Sequence, residues 1–202
     1  NVQTLRVVER LEKDGLGLNL TWEVRDGILN HRTSGNPATL EGKIVQLADK
    51  IAYTNHDIDD AIRAGMLYAD EIPKEFTNII GTTSSSRINT MIRDTIANSQ
   101  NKNDIVMSQT MRATLMGLRA FMFRNVYQSA YALQEQAKAE KIVEALYLHY
   151  LEHPAQMEGE FLRLLDEGEG LERTVCDYVA CMTDRFAIAQ FQKIFLPQTW
   201  HT

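Results

Sequence analysis

Cysteine is nearly missing from this chain. Cys176 and Cys181 are the only two in 202 residues, and five positions of helical spacing turn their side chains well over a quarter-turn apart, about 140°. That excludes a disulfide scaffold and a CxxC metal or redox pair, and the two read as buried free thiols of a reducing compartment, kept for packing. Proline and glycine are also scarce, at four and eleven, and no glycine-rich nucleotide loop, HExxH pair or nucleophile elbow is present. SSSR at 84–87 lacks the glycines and lysine that a phosphate loop needs. No stretch approaches the ~20 apolar residues of a membrane-spanning helix. Positive charge is not in excess: the formal net charge of −6 offers no general attraction to nucleic acid or an anionic membrane.

What is present describes a globular chain. Hydrophobic residues make up 44% and charged residues 24%, which excludes a disordered chain and suits a cytoplasmic protein with one sizeable core. No alternating strand pattern, internal repeat or low-complexity tract interrupts it. The apolar spacing predicts helices over 2–13, 21–30, 39–66, 73–80, 84–98, 108–130, 133–152, 155–167 and 171–196. Gly15 and Gly17 end the first, HRTSGNPAT is a turn-rich loop, and Thr39 and Ser108 are placed to cap the helices that follow them. The expected fold class is all-α: a multi-helix bundle with additional C-terminal helices, one domain over 1–202.

The segment LEGKIVQLADKIAYTNHDIDDAIRAG (40–65) is the most informative. As a helix it sets Asp49, Tyr53 and Asp57 four apart, drifting about 40° per step along about 12 Å of one face. Asp49 interrupts Ile44, Val45, Leu47, Ala48, Ile51 and Ala52, where a carboxylate is costly to bury unless a cation compensates it. From spacing alone Asp49 is a ligand for a hard divalent cation or a partner for a nearby Lys or Arg. Lys50 is a phosphate contact or an exposed rim residue. Tyr53 is a site residue or core aromatic, and Asp57 a site acid, a partner of Arg63 or a solvated acid. Asp59 and Asp60 read as solvated or paired with Arg63. His56 precedes Asp57 and invites an H…HD metal set with His31, but it points about 100° away from Asp57.

These residues carry a resemblance. The LADKIAY…HDIDDA signature, with the opening NVQTLRVVERLE, GLNLTWEVRDGILNH and the late CDYVACMTDRFAIAQF, resembles the deoxyguanosine-triphosphate triphosphohydrolase family of the HD superfamily, from the second half of its catalytic core onward. Those enzymes are all-helical and split a deoxynucleoside triphosphate into deoxynucleoside and inorganic triphosphate. The resemblance implies that 1–70 belongs to an HD-like core and 71–202 to a helical C-terminal region. It implies a metal held by an H…HD…D set, with Asp49 matching the final Asp and Mg²⁺ or Mn²⁺ as the ion. The other metal ligands, and the histidine and glutamate used near the leaving group, would precede Asn1. An opening without Met therefore reads as a fragment, with no catalysis expected of these residues alone.

The resemblance further implies that Lys50 meets phosphate, that Tyr53 packs against the deoxyribose and that Asp57 accepts a hydrogen bond from its 3′-hydroxyl. It implies water attack at the α-phosphorus, with the nucleoside 5′-oxygen departing, and a homo-oligomer whose interface uses helices such as 108–152. Phosphate-binding cations are expected from RATLMGLRAFMFRNVY, which offers Arg112, Arg119 and Arg124 without selecting among them; taken singly, each reads as a surface or interhelical ion-pair residue. Arg87 and Arg93 read as ion-pair residues. Asp177, Asp184 and Arg185 read as an internal salt-bridge network, and Met107, Met111, Met116 and Met122 as core filler. Two other readings remain at this stage: a different HD nucleotide phosphohydrolase, and a non-catalytic helical module for oligomerisation or regulation.

Overall fold

Hydroxyl side chains start the main helices, and the result is all-α. The computed structural model describes residues 1–197, among which there are ten α-helices and no strand. These are α1 (Val2–Arg6), α2 (Trp22–Asn30), α3 (Leu40–Arg63), α4 (Lys74–Ile80), α5 (Ser84–Ser99), α6 (Gln109–Met122), α7 (Ala130–Glu152), α8 (Gly159–Asp166), α9 (Leu171–Ala180) and α10 (Asp184–Phe195). The Thr39 hydroxyl accepts from the Gly42 N–H at 3.0 Å to begin α3, and Ser108 accepts from the Met111 N–H at 3.2 Å to begin α6. No described helix is long and apolar enough to cross a membrane.

The described residues form two compact units, Asn1–Ser129 and those from Ala130 on. The reason is that α5 and α6 both pack on α3, and α4 packs on both of them, which keeps 71–129 with the first unit. The core of that unit is built from helical repeats. Ile51 and Ile58 of α3 meet Met91 of α5 and the α6 series Met111, Leu115, Leu118 and Met122. Glycine permits two close approaches. A Cβ on Gly42 would lie 2.7 Å from Pro37, beside the backbone of Gly27 on α2, and one on Gly117 would lie 2.6 Å from the Phe76 ring. In the second unit Tyr178 of α9 packs edge-on against Tyr150 of α7 at 4.9 Å and, tilted, against Phe161 of α8 at 5.0 Å.

Several expectations are corrected here. The helix expected over 171–196 is two: it stops at Ala180 and restarts at Asp184, where the Thr183 hydroxyl accepts from the Phe186 N–H at 3.3 Å. Cys176 and Cys181 form no disulfide among the described residues, and both are exposed rather than buried. The buried face of α9 is Thr174, Val175, Asp177 and Tyr178, and Cys176 lies off it. Asp177 is fully buried and pairs with Arg173 at 3.2 Å, whereas Asp184 and Arg185 are exposed at the start of α10. Met116 is exposed, unlike Met111 and Met122. Finally, α6 does not run to residue 130 as regular α-helix, because residues Phe123–Tyr127 form a π turn.

Candidate functional site

The seam between α3 and α6 gathers the polar side chains of the first unit. On α3, Lys50, Tyr53 and Asp57 stand at i, i+3 and i+7, which is one narrow stripe. On α6, Arg112 and Arg119 stand seven apart with Met116 between them. The π turn follows: the Gln128 N–H reaches the Phe123 carbonyl, five residues back, at 3.0 Å. Its wider winding slows the rotation of the side chains and brings Tyr127 back over α3. The Tyr127 hydroxyl donates to the Asp57 carboxylate. The Arg119 guanidinium lies 5.4 Å from the centroid of the Tyr53 ring, a cation–π contact.

Charge along this seam is not balanced. Burial lowers the pKa of the Lys50 ammonium from its ordinary value, the positive charges of Arg119 and Arg112 lower it further, and Asp49 opposes them. Lys43 is tied to Asp104 at 2.8 Å, but Lys50, Arg112 and Arg119 form no ion pair among the described residues. Two clefts open here. One of 350 Å³ is lined by Tyr53, Arg119, Phe123, Arg124 and Tyr127; the other, of 420 Å³ and more polar, by Lys43, Gln46, Lys50, Asp104 and Arg112. Met116 borders both. Burial first, then the hydrogen bond to Asp57 and its charge, push the Tyr127 hydroxyl well above the ordinary tyrosine value, so it remains a donor.

The structure brings together three of the four expected site residues and sets the fourth apart. Tyr53 and Asp57 are half-buried on the seam, and Lys50 shares their stripe rather than standing on a rim. Asp49 is exposed, where partial burial was expected. It lies about 40° past Tyr53 on the outer edge of the stripe, and its apolar neighbours Ile44 and Val45 are themselves 51% and 60% exposed. No group of three or more His, Cys, Asp or Glu side chains converges among the described residues. His31 Nδ1 is within 2.6 Å of the Ile28 carbonyl, and His56 faces the apolar α3–α5 cleft. The H31…H56-D57 metal set does not form.

Sequence reasoning did not single out Tyr127, and it read Arg87 as an ion-pair residue, which the structure bears out, without its partners. On a regular helix Tyr127 would head about 80° away from Arg119. Arg87 is 1% exposed and holds α5 to the other side of α3. Its Nε donates to Asn55 Oδ1 at 2.7 Å, one Nη to the Thr82 carbonyl at 3.0 Å and the other to Asp59 Oδ1 at 2.9 Å. Asp59 is therefore neither solvated nor a partner of Arg63, which pairs with Asp60 at 2.7 Å.

Similarity to known proteins places the chain in a family. Residues 105–193 match the phosphohydrolase-associated domain. Over 198 residues, 98% of this chain, half the positions are identical to a deoxyguanosinetriphosphate triphosphohydrolase-like protein of Caldanaerobacter subterraneus subsp. tengcongensis, of which the match covers 58%. Proteins given the same description from Clostridium perfringens (strain SM101) and Geobacter sulfurreducens are 42% and 31% identical over 98% of this chain, covering 60% and 64% of their own lengths. The chain thus spans about three fifths of the length of these curated relatives. On the strength of those matches, the chain belongs to the deoxyguanosinetriphosphate triphosphohydrolase-like family of the HD superfamily.

Proposed function

We propose that this protein hydrolyses deoxynucleoside triphosphates, dGTP among them, to deoxynucleoside and inorganic triphosphate. The observation that carries the reading is the α3–α6 seam: an acid and two phenols at one end, unpaired cations at the other. Asp57 is acceptor-only when ionised and suits a sugar hydroxyl. Tyr53 and Tyr127 line the same cleft, where a 2′-hydroxyl would have to fit against a ring, so shape selects the deoxy sugar. Lys50 and Arg119 offset the negative charge of the phosphate next to the sugar and hold it in line for water attack at the α-phosphorus. The names of the relatives supply the substrate class, and the cation-to-acid order of the seam agrees with it.

The described residues do not by themselves fit a metal site, since Asp49 is a single exposed carboxylate with no two further donors beside it. We assign Asp49 as one ligand of a divalent cation, Mg²⁺ or Mn²⁺, which when bound would polarise a phosphate oxygen. The test is to incubate the full-length protein with each deoxynucleotide and measure inorganic triphosphate. Release of triphosphate, abolished by Asp49→Ala, supports the reading, whereas orthophosphate as the product would overturn it. Asp57→Asn is expected to narrow the preference for deoxy over ribo substrates by about tenfold while leaving metal affinity unchanged.

A further inference from the structure

The chain has five histidines, and among the described residues two of them meet. His149 stands in the last turn of α7, and His153 is one residue beyond its end. The helical pattern still holds across that junction, because the His153 N–H donates to the His149 carbonyl at 2.9 Å. Their side chains therefore rise from one face, a single turn apart. The ring centroids are 4.8 Å apart and the planes are tilted by 56°, so the rings are not stacked face to face.

The surroundings hold one ring and leave the other open. His149 is half-buried and meets Tyr150 edge-on at 5.2 Å and Phe195 of α10 edge-on at 5.7 Å. Its Nε2 lies 2.9 Å from the side-chain oxygen of Gln156, in the short turn Pro154–Gln156. Facing a carbonyl oxygen, Nε2 carries the proton, and a neutral imidazole then presents Nδ1 as a lone pair. Metal-ligating histidines are held in the same way: the second nitrogen donates to an oxygen, which fixes the tautomer and the ring. His153 is exposed, and its ring makes no hydrogen bond among the described residues.

The separation suits a shared ion. A metal about 2.1 Å from one nitrogen of each ring lies about 3.2 Å from each centroid, and centroids 4.8 Å apart then subtend about 97° at it. That angle falls between the octahedral and tetrahedral values. Imidazole favours zinc, copper and nickel, whereas magnesium and calcium favour oxygen. We propose that His149 and His153 hold a divalent transition-metal ion of this imidazole-preferring class, with Gln156 positioning His149. No acid or thiol joins the pair as a third ligand among the described residues, so water fills the other positions. The ion clasps the last turn of α7 to the residue that follows it. The site lies within the second unit and does not depend on the reading of the α3–α6 seam.

The test uses the full-length protein equilibrated with Zn²⁺ at micromolar free concentration, with Mg²⁺ in excess to fill oxygen-ligand sites, and counts bound zinc per chain. His149→Gln and His153→Gln are each expected to bind one Zn²⁺ fewer than wild type. The same difference of one is expected between Asp49→Ala and Asp49→Ala with His153→Gln, which separates this ion from any held at Asp49. Gln156→Leu should keep the count at saturation and weaken the site about tenfold, the usual cost of removing the partner of a ligating histidine. Equal counts in wild type and His153→Gln overturn the proposal. A loss confined to His149→Gln also overturns it, since only a folding defect at the half-buried ring would give that result. Unchanged affinity in Gln156→Leu overturns the role given to Gln156.

Discussion

Toward α5, helix α3 sets Asn55 and Asp59 against Arg87; toward α6, the same helix sets Lys50, Tyr53 and Asp57 against Arg112, Arg119 and Tyr127. The first network is closed. Arg87 is buried, each guanidinium nitrogen has an acceptor, and Asn55 spends its amide on the Ile51 carbonyl at 2.7 Å. The second is open: Lys50, Arg112 and Arg119 form no ion pair among the described residues. Polar groups that serve the fold are matched within the protein, because an unmatched buried charge costs several kcal/mol. Groups that serve a ligand are left half-exposed and unmatched, at a tolerable cost in water, until the ligand completes them.

The largest expected effect comes from breaking the closed side. Arg87→Met leaves Asp59 and the Asn55 carbonyl without their donor and should lower unfolding free energy by about 3 kcal/mol in a denaturant titration. Adding Asp59→Asn should return part of that loss, because one stranded charge is removed. Recovery of none of it would mean that the pair is not coupled. Arg119→Ala on the open side inverts the pattern. It should raise KM for the deoxynucleotide about tenfold and move stability by no more than about 0.5 kcal/mol. A loss of stability comparable to that of Arg87→Met would erase the distinction between the two faces.

Tyr127→Phe gives the smallest effect and is read in alkali. The folded state holds the Tyr127 proton more tightly than the ordinary value of 10.0. The stability this confers is complete below pH 10 and is lost as pH rises through the raised value. Wild type should thus lose stability above pH 10 more steeply than Tyr127→Phe, by well under about 1 kcal/mol for so exposed a hydroxyl. Tyr150 and Tyr178, also raised chiefly by burial, supply a common slope in both proteins. Identical alkaline profiles would show that the Asp57 contact is not maintained in solution.

The legible part of this molecule was periodic. Regular spacing gave the all-α class, the extent of α3, the caps at Thr39 and Ser108, and the shared face of Tyr53 and Asp57. It also contained Lys50, whose i, i+3, i+7 relation to those two was hidden by centring the stripe on Asp49. What stayed illegible depended on partners distant in the chain or on broken periods. Nothing near Arg87 announces Asn55 and Asp59, which precede it by 32 and 28 positions. The exposure of Asp49 follows from which side of α3 is covered, and an apolar pattern does not state that. The split between α9 and α10 turned on Thr183 preferring to cap a new helix over continuing an old one.

The π turn after α6 makes backbone length a functional quantity. With hydrogen bonds reaching five residues back, Phe123–Tyr127 holds one residue more than an α-helical turn of the same height would. Shortening this stretch by one position would rewind it as ordinary helix and swing the Tyr127 phenol off Asp57, with every side chain otherwise intact. The fit proposed at the sugar end is thus written as a surplus residue, invisible to any comparison of side-chain types alone.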